Sequence, residues 1–391
     1  MPNHRAPLRV GVATVLVAVT LGLSGCANPF SGAVTPAAQV GTQDSRPEAN
    51  RDPEAAPLSV AADTDPDAWR PDQPIVVNAM AGTISEVTVT SPGGQDVAGT
   101  LSDDRQHWAS SGTLLPGTTY AVRSTMTGSA DTDPVTSSVS ISTRESAARF
   151  RARISPRDGA TVGVGMPILV TFTAPVDQDH RAQVQDALTV TASADVEGAW
   201  NWVSDTKAQY RTKEYWPSRT RVSVTADLAG VQAGADVWGD QDKQVDFQIG
   251  ESVVSVVDVT SHQMTVTIDG VVARTIPVTT GKDGFLTRGG TRVISEKLED
   301  IRMDAASTGI TPGDPEYYNL DVRYALRMTN SGEFIHAAPW SVASQGTSNV
   351  SHGCVGMSDA NARWLFGHSR IGDVVTIVHS NRTLEPGNGL T

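Results

Sequence analysis

The chain has 391 residues, of which 39% are apolar and 19% charged, with 35 glycines and 22 prolines. This length and composition predict two or three globular, strand-rich domains of about 100–200 residues each, rather than a coiled coil or a wholly disordered protein. A formal charge of −13, from 43 acidic and 30 basic residues, excludes the broad positive surface that nucleic-acid binding requires, so no nucleic-acid partner is expected.

The N-terminal segment has the features of an export signal. Arg5 and Arg9 precede an apolar run at 10–21, which is shorter than the roughly 20 residues needed to cross a bilayer. A signal peptide over residues 1–25 is therefore favoured over a membrane span. The Leu-Ser-Gly-Cys sequence that ends at Cys26 resembles a bacterial lipobox, which implies a lipid on Cys26. An ordinary secretion signal with an incidental cysteine is the alternative.

A lipid on Cys26 would anchor the protein to the cell membrane on its extracytoplasmic face. The proline-rich residues 26–68 contain one aromatic side chain, Phe30, and cannot bury enough apolar surface to fold. We therefore expect a lipidated, disordered tether. Only two cysteines occur, so a lipidated Cys26 would leave Cys354 as the single free thiol.

Two β-sandwich modules are predicted after the tether, at 69–145 and 150–250. Both show short alternating strands separated by turn signals. The clearest strands span 83–90, 120–125, 135–143, 168–173, 188–192, 221–226 and 245–249. An aromatic cluster in the second module fits a sandwich core or domain seam better than a carbohydrate platform. It consists of Trp200, Trp202, Tyr210, Tyr215 and Trp216.

A third domain is predicted at 251–379. Its first strands form a β-meander with Asp269-Gly270 as a hairpin turn. Residues 286–315, rich in glycine and charge, are expected to form an excursion or flap rather than core.

The end of the domain is predicted as a helix and a last strand. Ser358 or Asp359 caps a helix that turns Ala360, Trp364 and Leu365 inward. A final apolar strand follows at 373–379, and the polar residues 380–391 are expected to form a frayed tail.

Cys354 is the best candidate for a nucleophile. It ends the sequence Ser351-His352-Gly353-Cys354, and His336 lies 18 residues upstream. A free cysteine with a pKa of about 8.5 is only about 3% thiolate at pH 7, so it needs a neighbouring base such as histidine. Gly353 permits a tight turn that can aim the amides of Gly353 and Cys354 at an oxyanion. A zinc site formed by His336, His352 and Cys354, or an inert thiol, remains an alternative.

Two segments carry a family resemblance: 336–340 (His-Ala-Ala-Pro-Trp) and 351–355 (Ser-His-Gly-Cys-Val). Together they resemble the signature of the L,D-transpeptidases, the YkuD-type family. The resemblance covers about residues 251–379. The lipobox and β modules are similar to actinobacterial, mycobacterial-type members with Ig-like domains. This implies a mainly β fold with two Ig-like sandwich modules, then a β-rich YkuD-type catalytic domain with a short helix after the nucleophile.

The resemblance implies a cysteine-dependent acyl transfer without cofactor or metal. Cys354 would attack a peptidoglycan tetrapeptide stem and release D-alanine, and a second stem would resolve the thioester into a 3→3 cross-link between diaminopimelates. His336 would serve as general base and acid, held by the Ala337 carbonyl, and Gly353 would contribute its amide to the oxyanion hole. Carbapenem-type β-lactams would be covalent inhibitors.

The resemblance also implies a substrate-binding set beneath a flap at about 296–318. It comprises Tyr318, Met303, Ser331, Gly332, Trp340, Ser351 and His352. Two positions depart from the family: Gly356 stands where Asn or Arg is usual, and Thr308 stands where a second flap tyrosine is common. An L,D-carboxypeptidase using water as the acceptor, or a non-catalytic wall-binding lipoprotein, is the alternative function.

Overall fold

The computed structural model describes residues 59–60, 69–80, 82–127 and 133–390. The predicted signal peptide and Cys26 lie outside these ranges. The described chain is mainly β, and its sheets form two Ig-like sandwiches followed by a β-rich domain with a short C-terminal helix. Within this part of the chain, none of the helices has the length and apolar character to span a membrane.

The first sandwich consists of two antiparallel sheets. Its strands are β1 (Ser59–Val60), β2 (Val76–Asn78), β3 (Thr83–Thr90), β4 (Gly99–Leu101), β5 (His107–Ser110), β6 (Thr119–Thr127) and β7 (Val135–Ser142). One sheet has the order β1-β2-β5-β4 and the other β3-β6-β7. Alternation along β6 turns Tyr120 and Val122 inward onto Trp108.

One part of the predicted tether is not disordered. The backbone of Ser59–Val60 pairs antiparallel with Val77 and Asn78. Pairing of this kind uses main-chain groups only, so the proline-rich composition around it gave no signal for a strand.

The second sandwich follows directly. Its elements are β8 (Ala152–Ser155), β9 (Thr161–Val162), β10 (Ile168–Phe172), α1 (Arg181–Asp186), β11 (Leu188–Ala192), β12 (Gly198–Ser204), β13 (Lys207–Thr212), β14 (Arg221–Ala226), β15 (Gln232–Gly234), β16 (Val237–Trp238) and β17 (Lys243–Ile249), with a 3₁₀ turn at Gln178–His180. The two sheets run β12-β13-β10-β8 and β11-β14-β17-β9. Trp216 is buried in the core, and Trp200, Trp202 and Tyr210 pack against it, whereas Tyr215 is exposed.

The third domain packs a central sheet against the sheet that carries the site. Its elements are β18 (Val253–Asp258), β19 (Gln263–Ile268), β20 (Val271–Pro277), β21 (Gly290–Val293), β22 (Glu296–Asp304), β23 (Asn319–Arg327), β24 (Phe334–Ala337), β25 (Val355–Met357), α2 (Asp359–His368) and β26 (Val374–Val378), with 3₁₀ turns at Ala305–Thr308 and Pro339–Ser341. The sheets run β20-β19-β18-β26-β21 and β22-β23-β24-β25. The expected meander is present, and Asp269 and Gly270 form its turn with positive φ angles.

The structure corrects two expectations in this domain. Residues 290–293 are not part of an excursion, because β21 completes the central sheet beside β26 and buries Arg292 and Val293. In α2, Ser358 is the N-cap, but the buried pair is Ala362 and Leu365, while Ala360 is exposed. Three-residue spacing puts Ala362, not Ala360, on the face of Leu365.

The C-terminal residues are docked rather than frayed. The amide of Leu384 donates to Gly289, and the carbonyl of Leu390 accepts from Val293. These contacts add the tail to the edge of the central sheet at β21, next to the sheet that carries the site.

The third domain is fixed on the second sandwich by close backbone contacts. The amides of Gly163 and Gly165 donate to the carbonyls of Ile371 and Gly372 at 2.8 and 2.9 Å. A Cβ atom at Gly163 would lie 2.1 Å from the Asp373 nitrogen, so only glycine permits this approach.

Candidate active site

Cys354 and His336 line one cavity of about 250 Å³. Its walls come from the sheet β22-β23-β24-β25, from the loop that precedes β25, and from residues that follow β20 and β24. The lining residues are Thr279, Met303, Tyr318, Leu320, Val322, His336, Ala338, Trp340, Ser341, Val350, Ser351, His352, Cys354 and Gly356. The nucleophile and base candidates therefore line the same cavity, together with apolar side chains and a few polar ones.

His336 is held rigidly on β24. All four residues of this strand are buried, and β24 pairs with β23 on one side and with β25 on the other. His336 Nδ1 lies 2.7 Å from the Ala337 carbonyl oxygen, which can only accept a hydrogen bond. Nδ1 therefore carries the proton and Nε2 is left as the basic nitrogen. Burial lowers the pKa of His336, which favours this neutral form.

Cys354 is the free cysteine of the described residues. Its Sγ lies 3.9 Å from the Gly332 carbonyl oxygen. Burial raises the pKa of the thiol to about 12, and the charge of Glu333 acts in the same direction, against a backbone hydrogen bond from Phe334. At pH 7 roughly one thiol in 10⁵ would be ionised at that pKa, so the resting pair is a neutral thiol beside a neutral imidazole.

The turn before the nucleophile depends on Gly353 and Ser351. Gly353 has φ 121°, a conformation that disfavours side chains. Its amide donates to Ser351 Oγ at 3.1 Å, and Ser351 Oγ donates to the Cys354 carbonyl at 2.6 Å. The Gly353 amide is thus engaged at rest, and its oxyanion role stays a prediction. The Cys354 amide makes no hydrogen bond within the described residues, so it is the amide available to an oxyanion.

Five of the predicted substrate residues line the cavity: Met303, Tyr318, Trp340, Ser351 and His352. Burial raises the pKa of Tyr318, so its phenol stays protonated and can donate a hydrogen bond. Trp340 is 55% exposed at the rim, with its ring 6.0 Å from that of His336.

His352 supports the wall of the cavity. Its ring contacts those of Phe285, at 4.6 Å, and Tyr318, at 5.0 Å. His352 Nε2 is 2.7 Å from Glu316 Oε2. The predicted alternative of a zinc site finds no support: nowhere in the described chain do three His, Cys, Asp or Glu side chains form a group that could hold a metal ion.

Ser331 and Gly332 are placed differently from the other predicted substrate residues. Neither lines the cavity. The Ser331 amide and hydroxyl bind the side chain of Asn388 in the docked tail, and Gly332 meets the thiol through its carbonyl.

The two departures from the family have structural explanations. A Cβ atom at Gly356 would lie 3.0 Å from both Ala338 Cβ and Thr279 Cγ2, so the space of a larger side chain is already filled. Thr308 is absent from the cavity lining, and its hydroxyl donates to the Ala305 carbonyl.

Several cavity residues were not predicted from the sequence. They are Thr279, Leu320, Val322, Ala338, Ser341 and Val350. Leu320 and Val322 could have been found, because they share the strand face of Tyr318 at two-residue spacing. Thr279 and Val350 come from loops and carry no local signal.

Family models of known proteins match two parts of the chain. A family model described as the L,D-transpeptidase catalytic domain matches residues 252–377, and one described as a bacterial Ig domain matches residues 67–232. L,D-transpeptidase 2 of Mycobacterium tuberculosis is 32% identical over 316 residues, covering 81% of this chain and 76% of that protein. L,D-transpeptidase 5 of the same species is 34% identical over 343 residues, covering 85% and 72%.

A solved structure of the L,D-transpeptidase LdtMt1 in complex with imipenem is also similar. It has a TM-score of 0.51 and 35% identity, over 59% of this chain and 99% of that one. The catalytic-domain match contains the cavity with Cys354 and His336, and the two curated relatives match most of the chain. The chain therefore belongs to the L,D-transpeptidase family.

Proposed function

We propose that this protein is a peptidoglycan L,D-transpeptidase that forms 3→3 cross-links through a thioester on Cys354. The observation that carries the proposal is the tautomer of His336. Its Nδ1 is bound to the Ala337 carbonyl, which leaves Nε2 as a base in the cavity that also contains the thiol.

The first half-reaction acylates the enzyme. Because the thiol pKa is about 12, thiolate formation has to accompany attack, with the proton passing from Sγ to His336 Nε2. Sulfur adds to the carbonyl carbon at the L-centre of diaminopimelate in the donor stem. The Cys354 amide and the Tyr318 hydroxyl would donate to the resulting oxyanion. When the intermediate collapses, the proton on His336 goes to the nitrogen of the departing D-alanine.

The second half-reaction transfers the acyl group. The side-chain amine of diaminopimelate in a second stem attacks the thioester carbonyl and gives its proton to His336. The carbon–sulfur bond breaks, and the proton returns to sulfur to restore the thiol. Thiol, imidazole and amide groups account for each proton and acyl transfer, so the proposal includes no cofactor.

Product analysis tests this function. The purified enzyme is incubated with a disaccharide tetrapeptide, and products are identified by tandem mass spectrometry. We expect released D-alanine and dimers joined between two diaminopimelates, and neither product with Cys354→Ala. Tripeptide without dimers would instead indicate an L,D-carboxypeptidase. Wall binding without turnover, unchanged by Cys354→Ala, would indicate a non-catalytic wall-binding lipoprotein.

A carbapenem is expected to acylate the same thiol. The related LdtMt1 was solved in complex with imipenem, and a β-lactam carbonyl presents the same electrophile as the donor stem. Opening of the lactam ring by Cys354 would move the proton from sulfur, through His336, to the ring nitrogen.

The proposed location is the outer face of the cell membrane, with a lipid on Cys26. This rests on the lipobox-like sequence before Cys26 and on the proline-rich residues that follow it. Cells grown with labelled palmitate should incorporate label into the wild type and not into Cys26→Ala, which should leave the membrane fraction. Equal label in both forms would contradict the anchor.

A further inference from the structure

The flap consists of β22, β23 and the connecting residues 305–318. Its base is anchored to α2 and the residues after it, because Lys297 Nζ donates to the carbonyls of Phe366 and Ser369. The tip has a different attachment. Within the described chain, every hydrogen bond or ion pair from 305–318 to a residue beyond the flap is made by Glu316.

Glu316 reaches the loops behind the nucleophile. One carboxylate oxygen, Oε2, lies 2.5 Å from Lys282 Nζ and 2.7 Å from His352 Nε2. Lys282 is itself tied to the nucleophile loop, because its amide donates to the Ser351 carbonyl at 3.0 Å. The side chains of Glu316 and Lys282 are 37% and 32% exposed, so salt can screen their attraction.

The same contact fixes the ring of His352. Lys282 and then His352 hold the pKa of Glu316 below its usual value, so the carboxylate is ionised at neutral pH. An ionised carboxylate only accepts hydrogen bonds, and Nε2 of His352 therefore carries a proton. The His352 ring packs against Phe285 and Tyr318. By fixing this ring, Glu316 also stabilises the position of Tyr318 in the cavity that contains Cys354.

From these contacts we propose that Glu316 is a positioning residue, which latches the flap tip to the nucleophile loop through Lys282 and His352. This inference rests on the proposed function, in which Cys354 carries the acyl group. When Glu316 is bound to Lys282 and His352, the latch is closed, Tyr318 stays over the cavity and water is excluded from the thioester. The acyl group therefore persists until an amine attacks it. With the latch open, hydrolysis competes with transfer.

The test compares the stability of the acyl-enzyme among matched variants, with imipenem as the acylating probe. Glu316→Gln keeps the shape of the side chain and removes its charge, and Lys282→Met breaks the same pair from outside the flap. Asp321→Asn is the control, because the Asp321–Arg302 pair lies wholly within the flap. Intact-mass spectrometry follows loss of the adduct, and hydrogen exchange follows residues 305–318.

We expect Glu316→Gln and Lys282→Met to acylate but to lose the adduct about two- to fivefold faster than the wild type, with faster exchange in the flap tip. The double variant should be no worse than Glu316→Gln, and Asp321→Asn should match the wild type. High salt should move the wild type towards Glu316→Gln and leave that variant unchanged, which a purely structural role would not do.

Two results would overturn the latch: an adduct lifetime in Glu316→Gln equal to that of the wild type, or an equal loss in Asp321→Asn. If Glu316→Gln does not fold, Lys282→Met alone decides between these outcomes. A wild type that forms no adduct would instead count against the proposed function, so the two failures are distinguishable.

Discussion

Arg292 pairs with Glu333 at 3.3 Å in the interior of the catalytic domain, with the two side chains 0% and 5% exposed. Arg288 binds the other oxygen of the same carboxylate at 2.9 Å. A Cβ atom at Gly353 would lie 3.4 Å from Glu333, so this ion pair packs directly behind the turn that presents Cys354.

Glu333→Gln should destabilise the domain strongly. The substitution leaves a buried arginine without its counter-charge, a change that typically costs about 3–5 kcal/mol. Urea denaturation gives the free energy of unfolding, and the exposed pair Asp321–Arg302 provides the control. Asp321→Asn should cost no more than about 1 kcal/mol. Similar losses of unfolding free energy in the two variants would show that the buried Glu333 pair stabilises the domain no more than an exposed pair does.

Gly356→Ala should be destabilising, although alanine is small. Its Cβ would lie 3.0 Å from Thr279 Cγ2 and from Ala338 Cβ, and such overpacking typically costs about 1–3 kcal/mol. Thr279→Ser removes the Cγ2 and keeps the hydroxyl, which donates to Ser348 and accepts from Val350. The double variant should therefore recover part of the lost stability in urea denaturation. A Gly356→Ala protein as stable as the wild type would contradict this packing.

Deletion of residues 381–391 should lower the thermal unfolding midpoint. The tail supplies the Glu385 partner of Arg288 and the Asn388 side chain that binds Ser331. Asn388→Ala, which keeps the rest of the tail, should have a smaller effect in the same direction. Differential scanning calorimetry on the three forms gives the comparison, and equal midpoints would indicate that the tail is frayed after all.

The reactivity of Cys354 should increase steeply with pH. Burial raises its pKa to about 12, so the reactive thiolate is fully formed only above that pH. Alkylation by iodoacetamide should therefore become about tenfold faster for each pH unit between 7 and 10. A plateau near pH 7 would contradict the neutral resting pair, because it would mean that a thiolate–imidazolium pair forms before substrate arrives.

The sequence was sufficient to predict the features that depend on local pattern. Alternating strands, the Asp269-Gly270 turn and the spacing of His336 from Cys354 each leave a signal within a few residues or a short motif. The fold class and the family followed from these, and the comparisons with known proteins agree.

Features that depend on distant partners were missed. β21 was predicted as part of an excursion because residues 286–315 are rich in glycine and charge. Glu333, the counter-charge that lets Arg292 be buried there, lies 41 residues away in the sequence. The docked tail was missed for the same reason, since Asn388 binds Ser331 across 57 residues. The role of Glu316 could not be predicted from the sequence either, because its partners Lys282 and His352 come from two other loops.

Acylation of Cys354 is the step on which the proposed function depends, and the mass of the intact protein after treatment with excess imipenem measures it. We expect a gain of one drug molecule, located by peptide mapping on the peptide that contains Cys354. The Cys354→Ala protein should remain unmodified, and His336→Ala should be modified far more slowly. An unmodified wild type at full drug excess, or an adduct that persists in Cys354→Ala, would contradict it.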